Sequence, residues 1–349
     1  MTERPDEETV RERLRGVHDP DMGEEIVSLG LVNEIDLDHG EELVHIDLSL
    51  GAPYSPAETA MASDIRECLA GFPHEVDLTA TVRERNSDGV LPGVSNVIAV
   101  ASGKGGVGKS TVAVNLAAGL ADMGARVGLF DADVYGPNVP RLVNAEEQPQ
   151  VSSEETIIPP ERFGVKLMSM DFLVGDDDPV IWRGPMVHKV LTQLWEDVEW
   201  GSLDYMVVDL PPGTGDTQLT MLQSVPVTGS VIVTTPQAVA LDDARKGLEM
   251  FAEHETPVLG IVENMSGFEC PDCGSTHSIF GNGGGRAFAE EVDTPFLGEI
   301  PLDTDVREAV ESGELPVLAD GETGEAFRSL VRTTADMQGV VHRREHGLN

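Results

Sequence analysis

Residues 103–110 read Gly-Lys-Gly-Gly-Val-Gly-Lys-Ser, and this stretch decides the fold. The apolar run Val97–Ala101 precedes it and predicts a buried strand, and the alanine-rich run Thr111–Met123 follows it and predicts a helix. A glycine-rich turn between a strand and a helix, ending in Lys-Ser, is the pattern of a phosphate-binding loop. The sequence therefore predicts a P-loop that binds ATP and Mg²⁺.

Each residue type in this loop has its own task. Glycines let backbone N–H groups approach phosphate oxygens, and the helix N-terminus adds partial positive charge. The ammonium of Lys109 is expected to reach the β- and γ-phosphates, and the hydroxyl of Ser110 is expected to ligate Mg²⁺. The residues predicted to bind the nucleotide are Gly103, Gly105, Gly106, Val107, Gly108, Lys109, Ser110 and Thr111.

Apolar segments alternate with helical segments from residue 94 onward. Four more strands are predicted, at Val127–Phe130, Tyr205–Asp209, Val231–Thr234 and Val258–Val262. Such strands are typical of an α/β fold with a mostly parallel sheet covered by helices on both faces. Asp209 ends one of these strands, where a Walker-B aspartate holds the Mg²⁺ shell.

The region before residue 94 has a different pattern, that of a small α/β domain spanning residues 1–85. Its predicted elements are a helix at Glu7–Val17, strands at Leu31–Leu37 and Leu43–Leu50, a helix from Pro56 to about Ala70, and a strand at Glu75–Val82. Residues 86–93 are polar and read as a linker. The P-loop domain is then expected to span residues 94–340, followed by a polar tail at 341–349.

Composition limits the classes of function. The chain has 62 acidic and 23 basic residues, a formal net charge of −39, and the acids are spread along its length. Such a surface disfavours nucleic acid and anionic lipid as partners, and it suits a halophilic cytoplasm, where molar salt screens self-repulsion. No apolar run is long enough for a membrane span. Three cysteines form no disulfide framework, so a reducing cytoplasmic location is expected.

Two of the cysteines form a Cys-x-x-Cys pair, Cys270 and Cys273. Two thiolates can bind one metal but do not fill a tetrahedral shell. His277, Cys68, or the same pair from a second subunit are the candidates for the remaining ligands. A symmetric homodimer would supply four thiolates, which suit either zinc or an iron–sulfur cluster, and the spacing alone does not separate these.

The loop resembles the deviant P-loop of the MinD/ParA and nitrogenase-iron-protein class, because a second lysine, Lys104, follows its first glycine. The resemblance implies a nucleotide-sandwich homodimer in which Lys104 reaches the partner's nucleotide. The segment Asp131-Ala132-Asp133-Val134-Tyr135-Gly136-Pro137 resembles the switch I of this class. It implies that Asp133 orients the attacking water and that Asp131 supports it; two solvated turn aspartates are the alternative.

Several motifs together resemble the Mrp/ApbC family of iron–sulfur cluster carrier ATPases. Besides the loop and switch, they are Trp182-Arg183-Gly184-Pro185, residues 209–216 (Asp-Leu-Pro-Pro-Gly-Thr-Gly-Asp), residues 263–266 (Glu-Asn-Met-Ser) and the cysteine pair. The resemblance implies a bridging [4Fe–4S] cluster on Cys270 and Cys273, ATP hydrolysis that gates transfer, and apo iron–sulfur proteins and assembly factors as partners. It also implies that Asn264 hydrogen-bonds adenine.

The N-terminal region resembles the small iron–sulfur-assembly domain that is often fused to this family, through residues 19–23 (Asp-Pro-Asp-Met-Gly) and 26–30 (Ile-Val-Ser-Leu-Gly). Family members often carry a cysteine before the proline that opens the second helix, whereas here Ser55 precedes Pro56. Two other functions stay open: a MinD/ParA-type spatial-organisation ATPase, and a nucleotide switch with structural zinc.

Overall fold

The computed structural model describes residues 5–81, 90–134, 136–145, 147–153, 155–173, 184–270, 273–304, 306, 309 and 313–346. Outside these ranges lie Trp182 and Arg183, Tyr135, residues 86–89 of the predicted linker, and the two residues between the paired cysteines. The chain forms two compact units. Unit 1 consists of Met1–Arg83 with Ala335–Asn349, and unit 2 consists of Glu84–Thr334.

Unit 1 contains a three-stranded sheet with helices packed beside it. Its elements are α1 (Glu7–Leu14), β1 (Val32–Asp38), β2 (Leu43–Leu48), α2 (Pro56–Leu69) and β3 (Glu75–Ala80). The strand order is β1-β2-β3, in which β1 pairs antiparallel and β3 pairs parallel with β2. The buried core joins apolar residues of the helices and the sheet, such as Leu14, Ile46 and Ile65. The predicted elements of this region are confirmed, with shifts at their ends.

Unit 2 contains a sheet of mostly parallel strands. Its strands are β4 (Val94–Ala101), β5 (Val127–Asp131), β6 (Gln150–Val151), β7 (Ile157–Ile158), β8 (Glu161–Arg162), β9 (Val165–Ser169), β10 (Leu203–Asp209), β11 (Gly229–Thr234), β12 (Val258–Glu269), β13 (Thr276–His277) and β14 (Phe296–Leu302). The main sheet has the order β13-β12-β11-β4-β10-β5-β9-β8, with β14 also paired to β12. The five predicted strands lie in it, and β9 and β14 add parallel strands that were not predicted.

Helices pack on this sheet. They are α3 (Lys109–Asp122), α4 (Val139–Leu142), α5 (Gly184–Asp197), α6 (Asp216–Ser224), α7 (Ala238–Glu253) and α8 (Gly284–Glu291). Helix α3 contacts β4, β5 and β10, α7 contacts β11, and α8 contacts β12. The predicted α/β fold is confirmed. Within the described ranges, no helix has the length and apolar character needed to cross a membrane.

The end of the chain differs from the prediction. A single 25-residue helix, α9, runs from Glu322 to His346, so the segment expected as a polar tail is helical up to residue 346. The residues of α9 from Ala335 onward belong to unit 1, together with the N-terminal elements. Polar residues of α9, such as Gln338 and Arg343, are buried. A prediction from hydropathy places polar residues in solvent, and for this reason it gave a polar tail in place of the end of a helix.

Candidate nucleotide and metal sites

The P-loop connects β4 to α3 with a backbone that only glycine adopts easily. Gly106 and Gly108 have φ angles of 80° and 82°, in the left-handed region. A Cβ atom on Gly103 would lie 2.2 Å from the carbonyl carbon of Asp243, so α7 approaches the start of the loop too closely for a side chain. The first and last glycines of the motif are therefore required by packing as well as by phosphate access.

Lys109 and Asp209 form a buried ion pair at the base of this loop. The ammonium of Lys109 donates to Oδ1 of Asp209, and the two side chains are 6% and 0% exposed. Burial raises the pKa of Asp209, and the charge of Lys109 and a hydrogen bond with Ser110 oppose this rise. The structure thus brings together three residues that the sequence predicted at separate positions.

The same residues fit a magnesium ion. Oδ2 of Asp209 is buried and has no hydrogen-bond partner among the described residues. A carboxylate oxygen and the Ser110 hydroxyl are oxygen donors of the kind that Mg²⁺ prefers. Ser110 and Asp209 would hold the ion, directly or through water.

Asp131 organises the segment after β5. Its Oδ2 accepts hydrogen bonds from the backbone N–H groups of Asn138 and Val139, both at 3.0 Å, and from the hydroxyl of Ser169 at 3.1 Å. Its Oδ1 accepts from the backbone N–H of Asp133 at 3.1 Å. Burial raises the pKa of Asp131, with a further contribution from the charge of Asp209. A carboxylate held in this way positions the loop that carries Asp133, and the alternative of a solvated turn aspartate is wrong for Asp131.

Asp133 follows β5, and Lys104 lies in the P-loop itself. Oδ1 of Asp133 accepts from the backbone N–H of Gly136 at 3.2 Å, and the residue is 8% exposed. Lys104 is half-buried, and its carbonyl accepts from the hydroxyl of Ser102 at 2.9 Å. Their expected roles toward water and toward a partner's nucleotide remain predictions.

Asn264 contacts the P-loop from β12, which is separated from β4 by β11 in the sheet. Its side-chain Nδ2 donates to the carbonyl of Val107 at 2.8 Å, and the residue is 7% exposed. A Cβ atom on Gly108 would lie 2.1 Å from that nitrogen, so the glycine makes room for the amide. The family resemblance implied a contact between Asn264 and adenine; this contact to the loop was not predicted.

Glu263, next to Asn264, fixes the glycine-rich turn before α8. Its Oε1 accepts from the N–H of Gly283 at 2.8 Å, and its Oε2 accepts from the N–H of Gly285. A negative carboxylate at a helix N-terminus is stabilising. A Cβ atom on Gly285 would lie 2.9 Å from Cβ of Glu263, which explains the glycine. Sequence analysis missed this role, although the glycine cluster was a signal.

Cys270 and Cys273 lie on an exposed β-hairpin that extends from β12. Strand β13 pairs antiparallel with the end of β12. The N–H of Cys270 donates to the carbonyl of Ser275 at 3.0 Å, and the N–H of Gly274 donates to the carbonyl of Cys270 at 2.8 Å. Gly274 has a φ of 65°, which permits the tight turn. The hairpin therefore has a defined backbone, and Cys273 at its tip is exposed.

The two thiols of this hairpin lie close together. Hydrogen bonds with Ser275, and then one with the side chain of Cys270, lower the pKa of the Cys273 thiol. A lower pKa increases the fraction of thiolate, the form that binds metal. In the described part of the chain, no three His, Cys, Asp or Glu side chains are grouped to hold a metal ion. The ring of His277 lies against Phe268, with centroids 6.5 Å apart, and the Cys68 thiol donates to the carbonyl of Ile65 in unit 1.

Comparison with known proteins decides the family. A family model described as a NUBPL iron-transfer P-loop NTPase matches residues 93–335. This chain belongs to that family. A second model, described as an iron–sulfur cluster assembly protein, matches residues 7–82. The predicted resemblances of both regions are confirmed, and so is the prediction that the chain is a P-loop nucleotide hydrolase.

Curated relatives in this family cover most of the chain. An iron–sulfur cluster carrier protein of Deinococcus radiodurans is 45% identical over 334 residues, which is 94% of each chain. An iron–sulfur cluster carrier protein of Escherichia coli is 49% identical over 258 residues, 74% of this chain and 69% of that protein.

Solved structures agree with the fold. The nucleotide-binding protein of Archaeoglobus fulgidus in complex with ADP has a TM-score of 0.60 and 38% identity, and the match covers 71% of this chain and 98% of that one. The cell division ATPase MinD of Pyrococcus furiosus has a TM-score of 0.50 and 22% identity, covering 68% of this chain and 97% of that one. The second likeness shows the P-loop fold alone.

In unit 1, the position at which relatives of the assembly domain often carry a cysteine has a structural role. Ser55 is fully buried and caps α2, since its hydroxyl accepts from the N–H of Glu58 at 3.2 Å. Asp19 of the Asp-Pro-Asp motif is also fully buried and pairs with Arg343 of α9. Oδ2 of Asp21 accepts from Arg343 at 2.8 Å. The motif residues of this domain therefore hold the end of α9 within unit 1.

Proposed function

We propose that this chain is an ATP-dependent iron–sulfur cluster carrier. Two copies would bind one [4Fe–4S] cluster through Cys270 and Cys273 and release it to apo iron–sulfur proteins. The observation that carries the proposal is the exposed hairpin, on which two neighbouring thiols stand at the end of the strand that braces the P-loop. The names of the relatives, iron–sulfur cluster carrier proteins, support it.

The thiol count supports a shared cluster. Each copy contributes two thiols at one exposed turn, and a [4Fe–4S] cluster is usually held by four cysteine thiolates. A two-fold axis beside the hairpin brings a second pair to the same point, because symmetry duplicates every ligand. The exposure of Cys273 also suits transfer, since an acceptor's thiols must reach the cluster.

The geometry of the P-loop supports the proposed hydrolysis of ATP. Lys109, at the loop's base, would stabilise negative charge on the transferring phosphoryl group. Bound Mg²⁺, held by Ser110 and Asp209, would supply further positive charge to the phosphate oxygens. Asp133 would orient the attacking water, and Lys104 from the second copy would contact the phosphates. Asp131 keeps Asp133 in place through the backbone.

Strand β12 connects the P-loop to the cysteine hairpin. In β12, Asn264 donates to the P-loop carbonyl of Val107, and Cys270 follows directly after the strand ends at Glu269. A nucleotide that displaces the P-loop would therefore alter the position of β12 and of the hairpin. ATP gates cluster transfer only if the two nucleotide states differ in cluster affinity. Equal cluster affinity with ATP analogue and with ADP would contradict the gating.

We propose that ATP hydrolysis and cluster transfer take place in a salt-rich cytoplasm. A chain with a net charge of −39 repels itself and its own copies at low ionic strength. At about 1 M salt the Debye length falls to roughly 3 Å, so this repulsion is largely screened. Thermal unfolding in 0.1 M and in 2 M KCl tests the point: the melting temperature is expected to rise with salt, and equal values contradict a halophilic setting.

A cluster-transfer assay tests the function. The protein would be reconstituted with iron and sulfide without oxygen in molar KCl, and then mixed with an apo-protein that needs a [4Fe–4S] cluster to gain activity. We expect transfer by the wild type and by Cys68→Ser, whose thiol lies in unit 1, and none by Cys270→Ala/Cys273→Ala. A double variant that still carries and delivers a cluster would overturn the assignment. Zinc in place of iron in anaerobically isolated protein would favour a nucleotide switch with structural zinc.

A further inference from the structure

Strand β12 changes direction between its contact with the P-loop and the cysteine hairpin. Met265 and Gly267 have φ angles of 59° and 68°, in the left-handed region, which no regular strand uses. The pairing register with β14 also shifts between Asn264 and Phe268. Residues 265–267, here named the β12 bulge, therefore set the direction in which the chain leaves the sheet toward the cysteines.

A methionine is an unusual residue for one of these left-handed positions. The Cβ atom of any residue other than glycine disfavours this region, and Gly267 and Gly274 of the same strand and hairpin meet the requirement without a Cβ. A side chain at position 265 leaves the backbone fewer alternative conformations than glycine would allow. Met265 therefore makes the β12 bulge stiff, and its presence at an unfavourable position calls for a reason in its contacts.

The side chain of Met265 lies beside the P-loop. A Cβ atom on Gly108 would lie 3.9 Å from Cε of Met265, which is a van der Waals distance. The preceding residue, Asn264, donates to the carbonyl of Val107 at 2.8 Å. Two successive residues of β12 therefore lie against the loop that is predicted to hold the phosphates, and a displacement of this loop acts on both.

Ser266 ties the β12 bulge to the sheet. Its hydroxyl donates to Oε1 of Glu263 at 2.5 Å. Glu263 is fully buried, and the same oxygen accepts from the N–H of Gly283 at 2.8 Å. A bulge that is held at one buried point responds to a displacement at Met265 by tilting about that point, and the tilt reaches the residues that follow.

A small tilt is enough to move the thiols. Cys270 follows Met265 by five residues. Five residues span at most about 17 Å when extended, so a rotation of about 10° at Met265 displaces Cys270 by up to about 3 Å. Bonds between a metal and its ligands keep their lengths to within about 0.2 Å. A displacement of this size therefore changes how well the thiols fit a cluster.

We propose that Met265 is a positioning residue that passes the nucleotide state of the P-loop to Cys270 and Cys273. A nucleotide that enters the P-loop displaces Gly108 against the thioether of Met265. The stiff bulge then tilts, and the cysteine hairpin moves with it, so that nucleotide and cluster alter each other's affinity. This inference rests on the proposed function, since it names the residue through which ATP gates the cluster.

The position of the hairpin with and without nucleotide tests the inference. Cys68→Ser/Cys270→Ser leaves Cys273 as the remaining native thiol, and Glu253→Cys adds a second labelling site at the exposed end of α7. Pulsed electron paramagnetic resonance of spin labels at both positions gives the distance between them. The labelled protein, diluted with unlabelled protein in molar KCl, is measured without nucleotide and with Mg²⁺ and a non-hydrolysable ATP analogue.

Three substitutions are compared in this labelled parent protein. Met265→Gly frees the backbone and removes the side chain. Met265→Leu keeps a Cβ atom and an apolar side chain of similar volume. The control is Asp293→Gly, which releases another left-handed residue, with a φ of 51°, at an exposed position after α8.

We expect the label distance to change by about 2–3 Å on nucleotide binding in the parent, in Met265→Leu and in Asp293→Gly, and by less than about 1 Å in Met265→Gly. With the native thiols present, the ratio of cluster-transfer rates with ATP analogue and with ADP should fall to about one in Met265→Gly. Its cluster content and thermal unfolding temperature should stay near those of the wild type. Relief of the left-handed conformation offsets the greater freedom of glycine in the unfolded chain.

An unchanged distance in the parent, or the same change in Met265→Gly as in the parent, would overturn the inference. Loss of the change in Asp293→Gly or in Met265→Leu would overturn it too, because neither removes the stiff contact at position 265. A wild type that moves its hairpin through Met265 but takes up no cluster would contradict the carrier function and leave the role of Met265 in place. A wild type that delivers cluster with an immobile hairpin would contradict only the role of Met265.

Discussion

The ammonium of Lys109 and the carboxylate of Asp209 are in direct contact below the P-loop, 100 residues apart in sequence and both almost fully buried. Burying two charges is unfavourable unless they pair well, and removing one of them leaves the other uncompensated. The pair therefore ties the first turn of α3 to the end of β10. It also keeps beside one another the two groups that we propose to contact the nucleotide phosphates and Mg²⁺.

Replacing Lys109 tests this pair. In Lys109→Ala, we expect kcat for ATP hydrolysis to fall by about 100-fold or more, because charge on the phosphoryl group loses a stabilising partner. The free energy of unfolding should fall by about 3–5 kcal/mol, since Asp209 remains buried without its partner. Adding Asp209→Asn should restore most of the stability and none of the activity.

The control for this prediction is Lys246→Ala, which removes an ammonium that pairs with Asp243 on the exposed face of α7. Exposed pairs contribute little, so stability should hardly change. Urea unfolding and a phosphate-release assay measure both quantities. A Lys109→Ala protein as stable as the wild type would show that the pair is not a structural link.

Replacing Asn264 separates its two candidate roles. Because its amide donates to Val107 of the P-loop, Asn264→Ala should weaken ATP and GTP binding alike, by about fivefold for the loss of roughly 1 kcal/mol. A contact with adenine predicts a different result, in which ATP binding weakens and GTP binding does not. Titrations with fluorescent ATP and GTP analogues distinguish the two. The expectation of equal weakening fails if only ATP is affected.

Two glycines of unit 2 offer a matched pair of substitutions. In Gly285→Ala the added Cβ would meet Glu263, so the free energy of unfolding should fall by about 1–3 kcal/mol. At Gly247, inside α7, a Cβ would meet nothing within 4 Å, and Gly247→Ala should stabilise the protein by up to about 1 kcal/mol. Urea unfolding of both variants measures the difference. If both substitutions change the free energy of unfolding in the same direction, close packing against Glu263 is not the reason that position 285 is a glycine.

The buried carboxyl of Glu58 gives unit 1 a pH dependence. Burial raises its pKa to about 7, although it accepts hydrogen bonds from the N–H groups of Gly51 and Ala52 and lies near Arg343. The folded state therefore keeps a proton that the unfolded state loses above about pH 4.5. The contribution of the Glu58 carboxyl to the free energy of unfolding is fully present at low pH and is lost as the pH rises through about 7.

Glu58→Gln should flatten that dependence, because an amide does not titrate. Urea unfolding followed by circular dichroism from pH 5 to pH 8 should give a smaller decrease for the variant than for the wild type. The matched control is Glu67→Gln, on the exposed side of the same helix, which should follow the wild type. A wild-type stability that rises across this range would contradict the assignment to Glu58.

The parts of the fold that the sequence predicted are those with strong local patterns. Near-continuous apolar runs marked five strands of the sheet, and the Gly-Lys-Ser spacing marked the P-loop. Strand β14 was missed because only Leu297 and Ile300 are buried in it, and the exposed Glu299 interrupts its apolar run. Strand β9 is short and contains Lys166. Neither gives the apolar signal of a central strand.

The missed parts of the site depend on distant contacts. Nothing near Asn264 indicates that its amide meets a carbonyl 157 residues earlier. The resemblance implied a supporting role for Asp131, and only the fold shows the four donors around its carboxylate. The end of α9 looked like a solvated tail because Arg343 is charged. Its acidic partners, Asp19 and Asp21, come from the opposite end of the chain.

The most direct test of the carrier function is the composition of the cluster-loaded protein. Native mass spectrometry of protein reconstituted without oxygen, with iron and sulfide assays on the same sample, gives the number of chains and atoms in one particle. The account predicts two chains with four iron and four sulfide, and loss of the cluster and of cluster-dependent pairing in Cys270→Ala/Cys273→Ala. A single chain that holds a complete cluster, or a pair of chains without iron, would contradict it.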